Sequence, residues 1–134
     1  LAERAMPYAY DDQNIFAKIL RGEIPNKTVL ETPHSLAFHD IAPQAPNHIL
    51  VIPRGPYVTF DHFAAEASVD EIVDFTRAVG EVARMCGVAP GVAGDGYRMI
   101  SNSGRDAAQE VPHLHVHIFG GGFLGRMIKV PSAG

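Results

Sequence analysis

The chain has 134 residues, 46 % of them hydrophobic, which suffices for one domain with a single core. A formal charge of −4, with 11 basic residues dispersed along the sequence, excludes duplex nucleic acid as the main partner, because phosphate contacts need a clustered basic surface. The single cysteine, Cys86, cannot form an internal disulfide and points to a reducing, cytoplasmic setting; no run of membrane-spanning length and no signal-peptide pattern is recognised, so no membrane partner is expected.

Residues 1–10, LAERAMPYAY, show no clear period and are expected to form a poorly ordered extension, leaving 11–134 as a single domain. Asp11 or Asp12 is expected to cap a short helix over 13–21, with Ile15, Phe16, Ile19 and Leu20 at helical spacing and Gly22 as the stop. KTVLET (27–32) and SLAFHD (35–40) read as two strands of a hairpin that turns at Pro33 and His34. Pro43 and Pro46 interrupt the pattern, and HILVIP (48–53) is a continuous apolar run suited to a central strand buried on both faces.

From Ser68 the pattern turns helical as far as Gly87, with Ser68 and Glu71 spaced as a capping box. Its apolar positions form two stripes: Val69, Ile72, Val73 and Thr76 with Ala83, and Phe75, Val79 and Val82 with Cys86. A band wider than one face predicts burial on two sides, one against the sheet and one against a partner subunit. Cys86 reads as a core filler within that helix. GYRMISN (96–102) is the next strand, followed by the polar loop SGRDAAQE and a last strand within VPHLHVHIFGG (111–121). Strands joined by short connections, with two segregated helices, define an α+β fold with an antiparallel sheet.

Three of the seven histidines, His113, His115 and His117, occupy alternate positions of that last strand. Side chains alternate along a strand, so the imidazoles share one face while Leu114, Val116 and Ile118 share the other. Imidazole serves as nucleophile, acid/base group or metal ligand. Zinc is the rival reading, since residues two apart on a strand can converge on one ion. The sequence offers no cysteine pair, no HExxH and no acidic cluster downstream of the triad, so no metal is expected. Asn102, Ser103 and Gly104, just before the histidine strand, offer an amide, a hydroxyl and backbone N–H groups suited to an anion such as phosphate. A neutral histidine attacks phosphorus when its second ring nitrogen is held by an acceptor, and a neighbouring histidine can protonate the leaving group. His34 and His62 lie in loop-like contexts and receive no role.

HLHVHIF (113–119) has the pattern His-φ-His-φ-His-φ-φ, with φ apolar, and resembles the histidine triad (HIT) family. NIFAKILRGEIP (14–25), LAFHDIAPQAPNHILVIP (36–53) and GYRMISNSG (96–104) are similar to the matching stretches of its nucleotide-binding branch, the HINT proteins. The resemblance implies a HIT-like fold of five antiparallel strands and two helices. It also implies a homodimer whose sheet runs across the interface, and a purine nucleotide ligand like AMP with no cofactor. The implied activity is hydrolysis of a nucleoside 5′-phosphoramidate through a covalent nucleotidyl-histidine. On that pattern His115 is the nucleophile, His117 contacts the phosphate or leaving group, His113 orients the nucleophile through its carbonyl and side chain, and His48 is the fourth histidine of the site. Asn102 and Gln109 fall on the phosphate side, and Asp40 on the ribose hydroxyls. Ile15, Phe16, Ile19, Phe38, His39 and Ile41 line the base slot. A dinucleoside polyphosphate hydrolase and a nucleotide-binding regulatory protein with incidental hydrolysis are the alternatives.

Two departures bear on specificity. Where well-known eukaryotic members of the branch carry Gly-Gln-Ser, this chain has Ala108-Gln109-Glu110, so a carboxylate replaces a hydroxyl and is expected to turn away or to act on an amine leaving group. The segment GGFLGRMIKVPSAG also lacks the tryptophan that some members place near the partner's site.

Overall fold

The computed structural model describes residues 8–127. A five-stranded antiparallel sheet runs β1 (Thr28–Glu31), β2 (Ser35–His39), β3 (Asn47–Pro53), then β5 (Val116–Gly120) and β4 (Tyr97–Ile100) at the far edge. Around it lie α1 (Ile15–Leu20), α2 (Phe60–Glu66) and α3 (Val69–Met85). The described residues therefore hold three α-helices where two were expected. The addition is α2, a seven-residue helix too short to show a hydrophobic period. Thr59 caps it, and its Phe63 enters the core beside Phe75 of α3.

β3 lies at the centre of the sheet, and six of its seven residues are buried. Alternation sends Ile49 and Val51 to one face, where they join Phe75, Val79, Val82, Leu114, Val116 and Ile118 under α3. Leu50 and Ile52 point the other way and pack with Phe16, Ile19, Leu36 and Phe38 beneath α1. Burying a Leu, Ile or Phe side chain contributes roughly 1.5–3 kcal/mol, so these two clusters supply most of the force that flanks the sheet with helices.

The α1 cap is Asn14 rather than Asp11 or Asp12: its side-chain oxygen accepts from Phe16 N and Ala17 N, both at 2.9 Å. Asp11 instead accepts from Gln13 N one turn earlier, which begins the bend into the helix. The Ser68–Glu71 capping box of α3 forms in both directions. Of the two α3 stripes, Phe75, Val79 and Val82 are buried in this chain, whereas Val69 and Val73 are exposed. No helix among the described residues is long and apolar enough to cross a membrane.

Of the extension expected over residues 1–10, positions 1–7 lie outside the described residues. Tyr8 stacks on His62 of α2 with ring centroids 4.9 Å apart and donates to Asp61 at 2.6 Å. His62 is accordingly helical, not in a loop, and its ring joins Val58 N to Glu66.

Candidate active site

Only His117 of the triad lies within the β5 ladder, where it faces Leu50 on one side and Ile100 on the other. His113 and His115 precede the ladder, because Pro112 has no N–H to offer and β4 ends at Ile100. Other bonds hold this segment: His113 N donates to Val111 O at 2.8 Å across a tight bend, and beyond it Leu114 N donates to Tyr57 O at 2.8 Å and Ser101 Oγ to His115 O at 3.0 Å. The alternation survives outside regular pairing. Leu114, Val116 and Ile118 join the α3 core, and the rings of His113 and His115 lie edge-on to Phe16 on the α1 side, at 6.2 and 5.0 Å.

Two hydrogen-bonded chains orient the rings. In the first, His113 is wholly buried, its Nε2 2.8 Å from the Pro53 carbonyl and its Nδ1 2.6 Å from the Tyr10 hydroxyl. A carbonyl only accepts, so the network assigns the ring proton to Nε2 and makes Tyr10 the donor to Nδ1. The His113 carbonyl in turn lies 2.7 Å from His115 Nδ1, which fixes the His115 proton on Nδ1. The His115 Nε2 lone pair is left without a bonded partner among the described residues.

In the second chain, Gln44 N donates to His48 Nδ1 at 3.1 Å, which places the His48 proton on Nε2. That nitrogen lies 2.9 Å from His117 Nδ1 and 3.4 Å from Asp40 Oδ2. The shorter contact makes His117 Nδ1 the principal acceptor, so the His117 proton sits on Nε2. The two cavity-facing ends of the chains thus differ: His115 offers a lone pair and His117 offers a proton.

Burial keeps all four rings neutral. It pushes His113 and His117 down to about 4, and it lowers His48 and His115 as well. For His115 the burial effect is opposed by the His113 carbonyl and by the carboxylates of Asp40 and Glu110.

A cavity of about 420 Å³ opens beside these rings. Ile15, Phe16, Ile19 and Phe38 form its apolar wall, His39, Asp40 and Ile41 its lip, and Asn102, Gln109, His115 and His117 the opposite side. Every residue expected in the base slot therefore lines one cavity. His113 and His48 stand behind the wall as supports. Gln109 is committed to its own loop: its Nε2 donates to Val58 O at 2.7 Å and to Val111 O at 3.0 Å, and its Oε1 accepts from Gly104 N at 2.9 Å. Glu110, at the rim, is exposed.

Asp40, His48 and His117 each present a ligand-type atom within 4.8 Å of one another, a grouping that sequence spacing does not reveal. The His48 atom facing that point is Nε2, which carries the proton while Gln44 N–H occupies Nδ1. The grouping is thus arranged as a hydrogen-bonded chain in which neither His48 nitrogen has a free lone pair. Four other contributors escaped sequence reading: Tyr10, Ser101, the Gln44 amide and the Pro53 carbonyl. Ser101, Gln44 and Pro53 fall inside the quoted motifs, but two of the four act through backbone groups that carry no residue-type signal, and Tyr10 lies in a stretch without periodicity.

Neighbouring imidazoles that present a lone pair and a proton to an apolar slot define a histidine-centred site. The chain belongs to the HIT domain family, whose model matches residues 21–123. It is 62 % identical over 123 residues to an uncharacterised HIT-like protein of Azospirillum brasilense, covering 92 % of this chain and 98 % of that one. It is 41 % identical over 120 residues to the purine nucleoside phosphoramidase of Escherichia coli K12, covering 87 % and 94 %. Among solved structures, a histidine triad protein from Clostridium difficile superposes with a TM-score of 0.75 at 34 % identity, over 94 % of this chain and all of that one.

Proposed function

We propose that this protein hydrolyses purine nucleoside 5′-phosphoramidates through a covalent nucleotidyl-His115 intermediate. The observation that carries the reading is the His115 ring, held by the His113 carbonyl at 2.7 Å with its Nε2 lone pair free beside the cavity. In the first step Nε2 attacks the α-phosphorus and the phosphorus–nitrogen bond to the amine breaks. The amine takes up a proton from water as it leaves, and His117 Nε2–H, whose tautomer is set by His48 at Nδ1, donates a hydrogen bond to the phosphoryl oxygen or the departing nitrogen. In the second step water attacks the same phosphorus, gives its proton to solvent, and the bond to His115 breaks to release the nucleoside monophosphate. As His115 gains positive character, its Nδ1–H bond to the His113 carbonyl strengthens, which favours the transition state over the ground state.

The apolar slot of Ile15, Phe16, Ile19 and Phe38 suits a flat base, Asp40 suits the ribose hydroxyls, and Asn102 suits the phosphate. Glu110 at the rim favours a cationic amine leaving group over a polyphosphate, whose charge it would repel. The 41 % identity to a purine nucleoside phosphoramidase supports the same substrate class. The proposal includes a homodimer in a cytoplasmic setting. Supporting the dimer are the exposed Val69 and Val73 of α3 and the edge position of β4, which leaves Tyr97 and Met99 open.

The test is acid-quench mass spectrometry of the intact protein with adenosine 5′-phosphoramidate. One added adenylyl mass, absent in His115→Ala, is expected; turnover by His115→Ala at the native rate rules the mechanism out.

A further inference from the structure

Tyr10 reaches the triad at His113 and is not among the residues that line the cavity. Its ring meets His113 edge-on, with centroids 5.5 Å apart, and its hydroxyl lies 2.6 Å from Nδ1. His113 is fully enclosed, so no solvent reaches that nitrogen, and Tyr10 is its one donor among the described residues. The other ring nitrogen is anchored to the carbonyl of Pro53, at the end of β3. Between them the two bonds fix both the plane and the tilt of the His113 ring. That matters because residue 113 lies outside the β ladder, where no strand pairing holds its carbonyl in place.

We propose that Tyr10 is a positioning residue for the nucleophile: by clamping the buried His113 ring against Pro53, its hydroxyl holds the His113 carbonyl where it aligns His115 Nδ1. The assignment rests on the reading of His115 as nucleophile. Tyr8 of the same segment docks instead on Asp61 and His62 of α2. Small displacements of an attacking atom cost rate far more than binding, because the attack requires close alignment while the base and ribose contacts lie elsewhere.

The experiment compares native protein, Tyr10→Phe, Tyr8→Phe and His115→Ala in steady-state hydrolysis of adenosine 5′-phosphoramidate, with side-chain imidazole 15N NMR of the same proteins. Tyr10→Phe is expected to lower kcat by about tenfold with KM held within about twofold. Tyr8→Phe, which loses only the bond to Asp61, is expected to keep the native kcat. In the native spectrum His113 should appear as the Nε2–H tautomer, its Nδ1 resonance displaced by a hydrogen bond, and Tyr10→Phe should abolish the displacement. Native kcat in Tyr10→Phe beside an inactive His115→Ala would overturn this proposal alone. Full activity in His115→Ala would overturn the reading of the site and the proposal together. A native His113 Nδ1 with no hydrogen-bond displacement would overturn the proposal even if Tyr10→Phe failed to fold.

Discussion

His48 Nε2 lies 2.9 Å from His117 Nδ1, and the Gln44 N–H on the far side of the His48 ring gives this contact a direction. A backbone amide thereby sets the proton position on a histidine two residues removed from it in the chain of bonds. His48→Ala leaves His117 free to take either tautomer and to rotate. Its kcat for a phosphoramidate of a basic amine is expected to fall by roughly one to two orders of magnitude. With a leaving group of low basicity, which departs without a proton, the deficit should shrink; rates for both substrates, measured side by side, check this.

Rate should be insensitive to mild acid. Attack requires a neutral His115, whose burial lowers its pKa below the ordinary 6.5, so the acid limb of kcat/KM is expected below pH 6.5. A pH–rate profile from pH 4.5 to 8.5 measures the position of that limb.

Stability should follow the same groups with a definite sign. His113 and His117 are pushed down to about 4 from 6.5, so between those values the unfolded chain binds more protons than the folded one. Their contribution is complete above about pH 6.5 and is lost as pH falls toward 4. Urea midpoints at pH 7 and pH 5 are expected to differ, with the lower midpoint at pH 5.

Asn14 links the local fold of α1 to the slot. It caps the helix that carries Ile15, Phe16 and Ile19, and it bonds two N–H groups that have no other partner in the first turn. Asn14→Ala is expected to destabilise the protein by about 1 kcal/mol. It should also raise KM for a purine substrate more than it lowers kcat, because Phe16 and Ile19 shift while the His113–His115 contact stays. Chemical denaturation and steady-state kinetics separate the two effects.

Much of this was legible in the residues. The period-two placement of histidines against Leu114, Val116 and Ile118 holds in space, even though regular pairing begins only at Val116. HILVIP lies at the sheet centre because a strand apolar at every position can be satisfied only with cover on both faces. The capping box at Ser68 and Glu71 formed as spaced, since its partners are three residues apart. Less legible was α2, whose seven residues give fewer than two turns of pattern, and the α1 cap, which falls on Asn14, two positions beyond Asp12.

The chemical groups of the site and the face on which each falls follow from the residues alone, because alternation and helical spacing are properties of the local backbone. The direction of each proton follows from contacts between distant segments. Tyr10 meets His113 across 103 positions, Pro53 meets it across 60, and His48 meets His117 across 69. Such contacts depend on how β3 and β5 register and on where the segment before α1 docks. They divide three chemically identical side chains into a buried support, a lone-pair donor and a hydrogen-bond donor, a division that follows from the partner each ring nitrogen finds in the fold.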